Sequence, residues 1–140
     1  MSKVAVVYWS GTGNTEAMAM AVAEGAKGKG AEVSVITAAE FSPEQVSEYS
    51  AIAFGCPSMG AEQLEESEFE PMFTACEGRL SGKNIALFGS YGWGNGEWMR
   101  SWESRCNDDG ANLACDSVIC NEAPDDDALA ACRELGASLV

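Results

Sequence analysis

The chain carries near its start the segment Val4-Ala5-Val6-Val7-Tyr8-Trp9-Ser10-Gly11-Thr12-Gly13-Asn14-Thr15, which decides the fold. Its first five residues are apolar or aromatic without alternation, as in a parallel strand that is covered on both faces. Glycine and hydroxyl side chains follow, and from Glu16 onward apolar residues recur at helical spacing. The segment therefore predicts a buried strand, a tight loop and a helix in direct succession.

The same succession of apolar runs and helical patterns continues along the chain. Continuous runs at Ala51–Gly55 and Ile85–Gly89 predict two more central strands, while Val33–Ile36 and Leu113–Cys120, which contain polar residues, are typical of sheet edges. Helices are predicted over residues 16–28, directly after Ser42-Pro43, and over residues 68–76, 96–107 and 126–139, with Asn14 or Thr15 capping the first. This alternation predicts one domain of the α/β class over residues 1–140. Its core is expected to be a doubly wound, five-stranded parallel sheet of order 2-1-3-4-5, with helices on both faces to make a three-layer sandwich.

The charge of the chain excludes several functions. Its 8 Lys and Arg face 22 Asp and Glu, which gives a formal net charge of -14. Such a charge repels phosphate backbones and anionic membranes, so we expect no nucleic-acid or membrane partner and favour basic protein partners. The sequence contains no His, which excludes imidazole acid–base chemistry, Ser-His-Asp triads and His-ligated metals.

The sequence also predicts a cytoplasmic protein with reduced cysteines. Its longest apolar run near the start, Ala17–Ala23, is far shorter than the ~20 residues that span a bilayer. Met1-Ser2-Lys3 leads straight into the first strand without a signal-peptide pattern. The six cysteines are scattered and form no CxxC pair, so we interpret them as small core residues rather than disulfides or ligands of a metal.

The loop from Ser10 to Thr15 has the chemistry of an anion site. Amide hydrogens at the start of a helix lack intrahelical acceptors and bind phosphate without a basic side chain. Gly11 and Gly13 permit close backbone approach, and three hydroxyl side chains can donate further hydrogen bonds. A P-loop would require a lysine that is absent, and a dinucleotide fingerprint would require Gly or Ala where Glu16 stands. A purely structural glycine turn is the remaining alternative; a phosphate cradle without a cation fits best.

Three loops together resemble one known family. Ser10-Gly11-Thr12-Gly13-Asn14-Thr15 resembles the flavin mononucleotide (FMN) phosphate loop of flavodoxins. Met59-Gly60-Ala61-Glu62 and Gly92-Trp93-Gly94-Asn95-Gly96 resemble the two flavin-flanking loops of the short-chain, clostridial-type members. The resemblance covers nearly the whole chain. It implies a low-potential one-electron carrier, not an enzyme, that binds FMN non-covalently and shuttles between neutral semiquinone and anionic hydroquinone.

The resemblance also implies which residues contact the cofactor. They are Ser10, Gly11, Thr12, Gly13, Asn14 and Thr15; Pro57, Ser58, Met59, Gly60, Ala61 and Glu62; Ser90, Tyr91, Gly92, Trp93 and Gly94; and Asn121 and Glu122. Met59 and Trp93 would lie on opposite faces of the isoalloxazine ring, and Trp9 and Trp98 are interpreted as packing residues. Ser90 is expected to contact the phosphate or the ribityl chain.

Gly60 and Glu62 would tune the ring. The Gly60 peptide would flip to present its carbonyl to flavin N5–H, a change that glycine makes cheaply. Glu62 would accept a hydrogen bond from flavin N3–H. The sequence departs from the family pattern at Ala61, where Asp is usual, and at Ala123, an apparent one-residue insertion after Glu122.

The acidic residues that follow the second loop would form a rim around the ring. This rim would make the second electron costly to add to the flavin. It would also dock transiently on basic patches of ferredoxin or flavodoxin reductases and low-potential oxidoreductases. The chain is expected to act as a monomer.

Two alternatives remain. A flavodoxin-like FMN-dependent quinone or NAD(P)H oxidoreductase would need room for a substrate over the ring, where Trp93 is expected. A receiver-like module would need acidic residues after the first strand, where Tyr8-Trp9-Ser10 stands.

Overall fold

A computed structural model describes residues 2–140 of the chain; Met1, the first residue of the predicted domain, lies outside the described residues. The strands of this part are β1 Lys3–Tyr8, β2 Glu32–Thr37, β3 Ala51–Gly55, β4 Asn84–Tyr91, β5 Asn112–Leu113 and β6 Val118–Asn121. The helices are α1 Asn14–Gly28, α2 Pro43–Val46, α3 Phe69–Cys76, α4 Glu97–Asp108 and α5 Asp126–Ser138. Short 3-10 turns cover Ala38–Glu40 and Glu77–Arg79.

The strands form one parallel sheet of order β2-β1-β3-β4-β5, which confirms the predicted order and the two predicted edges. The predicted edge strand Leu113–Cys120 is divided in two, and both parts pair with β4: Leu113 lies opposite Ile85, and Val118 lies opposite Phe88. The Ala114 amide still donates to the Ile85 carbonyl of β4 at 2.9 Å, and residues 115–117 then leave the ladder. There the Ser117 hydroxyl donates to Glu103 Oε2 of α4 at 2.6 Å.

Helices cover both faces of the sheet and enclose two cores. Ala5 and Val7 of β1 face α3 and α4, where the buried aromatic residues cluster: Phe54, Phe69, Phe73, Trp98 and Trp102. Val4 and Val6 face α1 and α5, against the buried residues Met18, Val22, Cys132 and Leu135. Residues on both faces of a central strand are therefore buried, which explains why β1 and β3 lack polar alternation in the sequence.

The start of α1 differs from the prediction because its cap comes from the preceding loop. The helix begins at Asn14, and neither Asn14 nor Thr15 supplies the cap. Instead, Ser10 Oγ accepts hydrogen bonds from the amides of Gly13, at 3.1 Å, and Glu16, at 3.2 Å. The left-handed backbone of Gly13, with φ 96°, turns the chain so that Ser10 reaches this first turn. By contrast, α5 is capped by the residue directly before it: Asp125 Oδ1 accepts a hydrogen bond from the Ala128 amide at 2.8 Å.

All six cysteines, which lie within residues 2–140, are free. Cys56, Cys76, Cys106 and Cys132 are buried, which confirms their interpretation as core residues, while Cys115 and Cys120 are half-buried. Burial raises the pKa of the Cys76 thiol to about 11 and that of the Cys106 thiol to about 12, so these thiols stay protonated at neutral pH. Among residues 2–140, no helix has the length and apolar character needed to cross a membrane.

Candidate nucleotide-binding site

A cleft of about 530 Å³ opens at the carboxyl edge of the sheet, beyond β1, β3, β4 and β6. Loops after parallel strands meet at this edge, which is where doubly wound proteins bind ligands. The lining includes predicted residues from all four loops: Ser10, Gly11, Thr12, Asn14, Thr15, Pro57, Ser58, Met59, Ser90, Tyr91, Gly92 and Glu122. Other predicted residues occupy the same loops without lining the cleft: Gly13, Gly60, Ala61, Glu62, Trp93, Gly94 and Asn121.

The loop between β1 and α1 offers unpaired donors to the cleft. Thr15 is 1% exposed, and its Oγ1 has no hydrogen-bond partner within the protein. A buried hydroxyl without a partner is costly unless a ligand or water completes it. The Gly11 backbone lies against the Trp9 ring, so closely that an added Cβ would stand 3.0 Å from Trp9 Cη2. None of the described residues that line the cleft is basic, so a bound anion would be held by amides, hydroxyls and the start of α1.

The loop after β3 is a closed turn. Met59 and Gln63 exchange two backbone hydrogen bonds, of 2.7 and 2.9 Å, around Gly60, Ala61 and Glu62. Gly60 and Glu62 both have positive φ, 56° and 53°, a conformation that is unfavourable for a residue with a side chain. The turn holds Met59 at the mouth of the cleft, where this apolar side chain is 39% exposed.

Glu62 connects this turn to the loop after β4. Its Oε1 accepts a hydrogen bond from the Glu97 amide at 3.1 Å, in the first turn of α4. Its carboxylate also lies against Gly94, so that any side chain at Gly94 would overlap it. Glycine suits position 94 because of the left-handed backbone, with φ 88°, and a side chain there would displace the Glu62 carboxylate. The bond links the loop that carries Met59 to the loop that carries Trp93.

Cys56 and Glu65 support the same turn from below. The Glu65 amide donates to Cys56 Sγ at 3.3 Å, and the Glu65 carboxylate is buried. It accepts from the amides of Ser67, Glu68 and Phe69 and from the Ser67 hydroxyl. Burial alone would raise the pKa of Glu65, but these hydrogen bonds outweigh it and hold the pKa below its usual range. Glu65 thus anchors the start of α3, whereas the sequence suggested a solvated rim charge.

The turn after β6 is held by Ser90 of β4. The buried Ser90 hydroxyl donates to the Glu122 carbonyl at 2.6 Å, and the Glu122 amide donates to the Tyr91 carbonyl at 2.8 Å. Glu122 itself has φ 57°, a strained value for a side-chain residue and one that recurs at ligand sites. Ser90 therefore positions the 121–123 turn beside the cleft, in addition to lining it.

Tryptophans occupy three different environments around the site. Trp93 is 62% exposed on the loop after β4. Trp98 is buried and its indole donates to the Cys56 carbonyl at 3.2 Å, which confirms it as a packing residue. Trp9, also interpreted as a packing residue, is half-buried and packs against the core, and in addition it lines the cleft and donates to Glu68 Oε1 at 2.9 Å. Its position directly after β1, at the ligand-binding edge, was the signal for this role. Ala123 lines the cleft as well, with no comparable signal in the sequence.

These features define a doubly wound protein with a cleft at the carboxyl edge of its sheet. None of the described residues that line the cleft is basic, and a methionine and a tryptophan are exposed beside it. FMN fits the residues present, because its phosphate would give the orphaned Thr15 hydroxyl a partner and its flat ring suits a thioether and an indole. A family model described as flavodoxin matches residues 6–136. The chain belongs to the flavodoxin family, whose members are electron carriers that bind FMN.

Individual relatives support this assignment. The flavodoxin of Megasphaera elsdenii is 46% identical over 133 residues, covering 95% of each chain, and that of Clostridium beijerinckii is 44% identical over 121 residues, covering 86% of this chain and 88% of the relative. The solution structure of two-electron reduced Megasphaera elsdenii flavodoxin superposes with a TM-score of 0.90 and covers 97% of both chains at 46% identity. The predicted family, fold, cofactor and electron-carrier function are confirmed, and the oxidoreductase alternative is not favoured.

Proposed function

We propose that the 530 Å³ cleft is the FMN site and that the predicted loop residues hold the cofactor there. The observation that carries the proposal is the buried, unpartnered Thr15 hydroxyl in a loop without basic residues. The phosphate would accept hydrogen bonds from Thr15, Thr12 and the amides of the first turn of α1. When bound, FMN supplies the redox chemistry by taking up and releasing single electrons.

Met59 and Trp93 are proposed to cover the two faces of the ring. Both side chains are large, apolar and well exposed, at 39% and 62%, on neighbouring loops. The hydrogen bond from Glu97 to Glu62 fixes the spacing between these loops. Stacking would bury apolar surface of both side chains and exclude water from the ring. The Glu62 carboxylate would still have lone pairs free to accept from N3–H of the ring.

Gly60 is proposed to adjust its peptide to the redox state of the cofactor. Its φ of 56° lies in a region that glycine adopts at little cost, and an added Cβ at this position would meet no atom within 4 Å. Ala61 follows it on an exposed tip, so few contacts oppose rotation of this peptide. A carbonyl turned towards N5 would accept a hydrogen bond only after a proton has been added there. This residue would therefore separate the two one-electron potentials.

Acidic side chains would keep the second potential low. Glu62, Glu68 and Glu122 lie in or beside the loops of the cleft. One carboxylate ~10 Å from an added negative charge costs about 1–2 kcal/mol at an effective dielectric constant near 20. The same net charge of -14 would favour transient docking on basic patches of reductases and low-potential oxidoreductases. We further propose that the chain acts as a monomer in the cytoplasm.

Binding of FMN and riboflavin to the apoprotein tests the phosphate site. Wild-type protein should bind FMN and show the visible absorption bands of flavin. Thr15→Val keeps the shape of the side chain but removes the hydroxyl, so FMN affinity should fall about 10–100-fold, as for a hydrogen bond to a charged group. Riboflavin, which has no phosphate, serves as the control and should bind both proteins equally. If Thr15→Val lowered the affinity for FMN and riboflavin equally, or did not lower the affinity for FMN, the proposed position of the phosphate would be contradicted.

Redox titration of the FMN-loaded protein tests the role of Gly60. Gly60→Ala meets no atom within 4 Å, so the variant should fold, with a cost of about 1 kcal/mol for the left-handed backbone. The interval between the two one-electron midpoint potentials should narrow, because the backbone can no longer rotate freely. Gly82→Ala, which also has a positive φ (75°) and meets no atom within 4 Å, is the matched control away from the cleft. An unchanged interval in Gly60→Ala would refute the role of this peptide.

A further inference from the structure

A second cleft, of about 380 Å³, lies on the other side of the phosphate loop. It shares Trp9, Ser10 and Gly11 with the FMN cleft and extends over the ends of β1 and β2. Its other lining residues are Tyr8, Gly13, Glu16, Thr37, Ala38, Ala39 and Glu68. A group attached to a phosphate in the loop could enter this space, whose volume is in the range of small-molecule sites, ~300–1,000 Å³.

Two carboxylates line this second cleft, and each accepts a hydrogen bond from an aromatic side chain of β1 or of the residue after it. Glu16 Oε2 accepts a hydrogen bond from the Tyr8 hydroxyl at 3.1 Å. Glu68 Oε1 accepts one from the Trp9 indole at 2.9 Å. Burial and the Glu16 carboxylate raise the pKa of Tyr8, so its hydroxyl remains a donor at neutral pH. Neither Lys nor Arg is among the described residues that line the second cleft.

We propose that Glu16 and Glu68 make the site selective for a flavin phosphomonoester over a flavin dinucleotide. The inference rests on the proposed position of the FMN phosphate in the loop. FMN ends at this phosphate, whereas FAD continues through a second anionic phosphate into an adenosine. That second phosphate would leave the loop amides and approach two carboxylates without any compensating cation. Because the cleft has room for a small ligand, charge rather than size is the barrier.

Isosteric neutral variants separate charge from shape. Glu16→Gln and Glu68→Gln keep an oxygen that can accept from Tyr8 and from Trp9, so the walls of the second cleft should be preserved. Isothermal titration calorimetry would give dissociation constants of FMN and FAD for the wild-type apoprotein, both single variants and the double variant. Glu24→Gln, at an exposed position further along α1, makes the same change of charge away from both clefts.

FAD affinity should rise about tenfold with each of the two substitutions, as expected for a charge pair in partly screened surroundings, and FMN affinity less than about threefold. Glu24→Gln should change neither. Added salt should reduce the difference in affinity between FMN and FAD for the wild type, and it should have less effect on this difference for the double variant. An unchanged FMN-to-FAD ratio in the double variant would refute the proposal in favour of a steric barrier. An equal gain in affinity for FMN and FAD would refute it, because the carboxylates would then repel both anionic flavins alike. Failure of the wild type to bind FMN would instead refute the proposed function.

Discussion

Glu65 illustrates how one side chain can hold a loop at the cofactor site. It is 5% exposed, and its carboxylate accepts from Ser67 N at 2.9 Å, Ser67 Oγ at 2.6 Å, Glu68 N at 2.8 Å and Phe69 N at 2.9 Å. Hydrogen bonds to an ionised acceptor are roughly twice as strong as those between neutral groups. A glutamine can replace only part of this arrangement, because its NH₂ group would face donors.

Glu65→Gln should therefore lower the free energy of unfolding by about 2–3 kcal/mol at pH 7. Because folding lowers the pKa of Glu65, its stabilisation is complete above the unfolded pKa of about 4.3 and is lost as pH falls below that value. The difference in free energy of unfolding between wild type and Glu65→Gln should therefore shrink as the pH falls. Urea unfolding at several pH values measures it, with exposed Glu66→Gln as the control. If Glu65→Gln and Glu66→Gln lowered the free energy of unfolding equally, or if the effect of Glu65→Gln did not depend on pH, the anchoring role of Glu65 would be wrong.

At the scale of elements, the contact between α1 and α5 depends on glycines. A Cβ at Gly25 would overlap the Arg133 carbonyl, and one at Gly136 would overlap the Val22 carbonyl. The two helix backbones thus approach each other more closely than any side chain permits. This contact covers one face of the sheet and keeps α1, whose first turn belongs to the phosphate loop, in place.

Gly25→Ala should destabilise the protein by ~1–3 kcal/mol or more, because the helices must separate to admit the methyl group. Gly28→Ala, at the last residue of the same helix, meets nothing within 4 Å and should be neutral or stabilising by about 0.5–1 kcal/mol. Thermal unfolding of both variants distinguishes packing from helix propensity. Similar shifts in the two midpoints would be inconsistent with the close contact.

For the whole molecule, stability should depend on pH through one half-buried cluster of charged side chains around Arg105. Arg105 of α4 bonds to Glu70 Oε2 and Glu77 Oε1, both at 2.6 Å, and the hydrogen bonds to Arg105 hold the pKa of both carboxyls below the usual range. Burial and neighbouring Glu77 raise the pKa of Asp109 to about 6, and its Oδ2 is buried without a partner. The cluster therefore contains carboxyls with opposite pH preferences.

Stability should increase as pH falls from 7 through about 6, because folded Asp109 takes up a proton that the unfolded chain does not. It should decrease below about pH 4.3, because the unfolded chain then takes up protons that folded Glu65, Glu70 and Glu77, whose pKa values are lowered, take up only at a more acidic pH. Thermal unfolding across this range should show a maximum near pH ~5. Asp109→Asn should flatten the slope between pH 5 and 7, and Asp108→Asn, at an exposed position, should not. A wild-type midpoint that rises steadily to pH 8 would contradict this account.

The candidate site was partly predictable from the sequence. Its predictable features depend on neighbouring residues, whereas the features that were missed depend on residues far apart along the chain. Loop positions follow from strand ends, so the segments around Ser10, Met59, Trp93 and Glu122 could be located from sequence. The bond of Glu62 to Glu97 joins residues 35 positions apart, and that of Ser90 to Glu122 spans 32 positions. No local pattern encodes such partners, and the same holds for Trp9, whose bond to Glu68 spans 59 positions.

The strand order followed from the few topologies that are open to a doubly wound sheet. The sequence itself predicted the parallel sheet and located the glycine-rich loop after β1, because apolar periodicity and glycine spacing are local signals. It did not determine that Leu113–Cys120 would divide, that Ser10 would cap α1, or that Glu65 would be buried as an anchor. Those outcomes depend on which donors and acceptors meet after the chain has folded. Only the tertiary structure decided them, because a polar side chain bonds to whatever group the fold brings within about 3 Å.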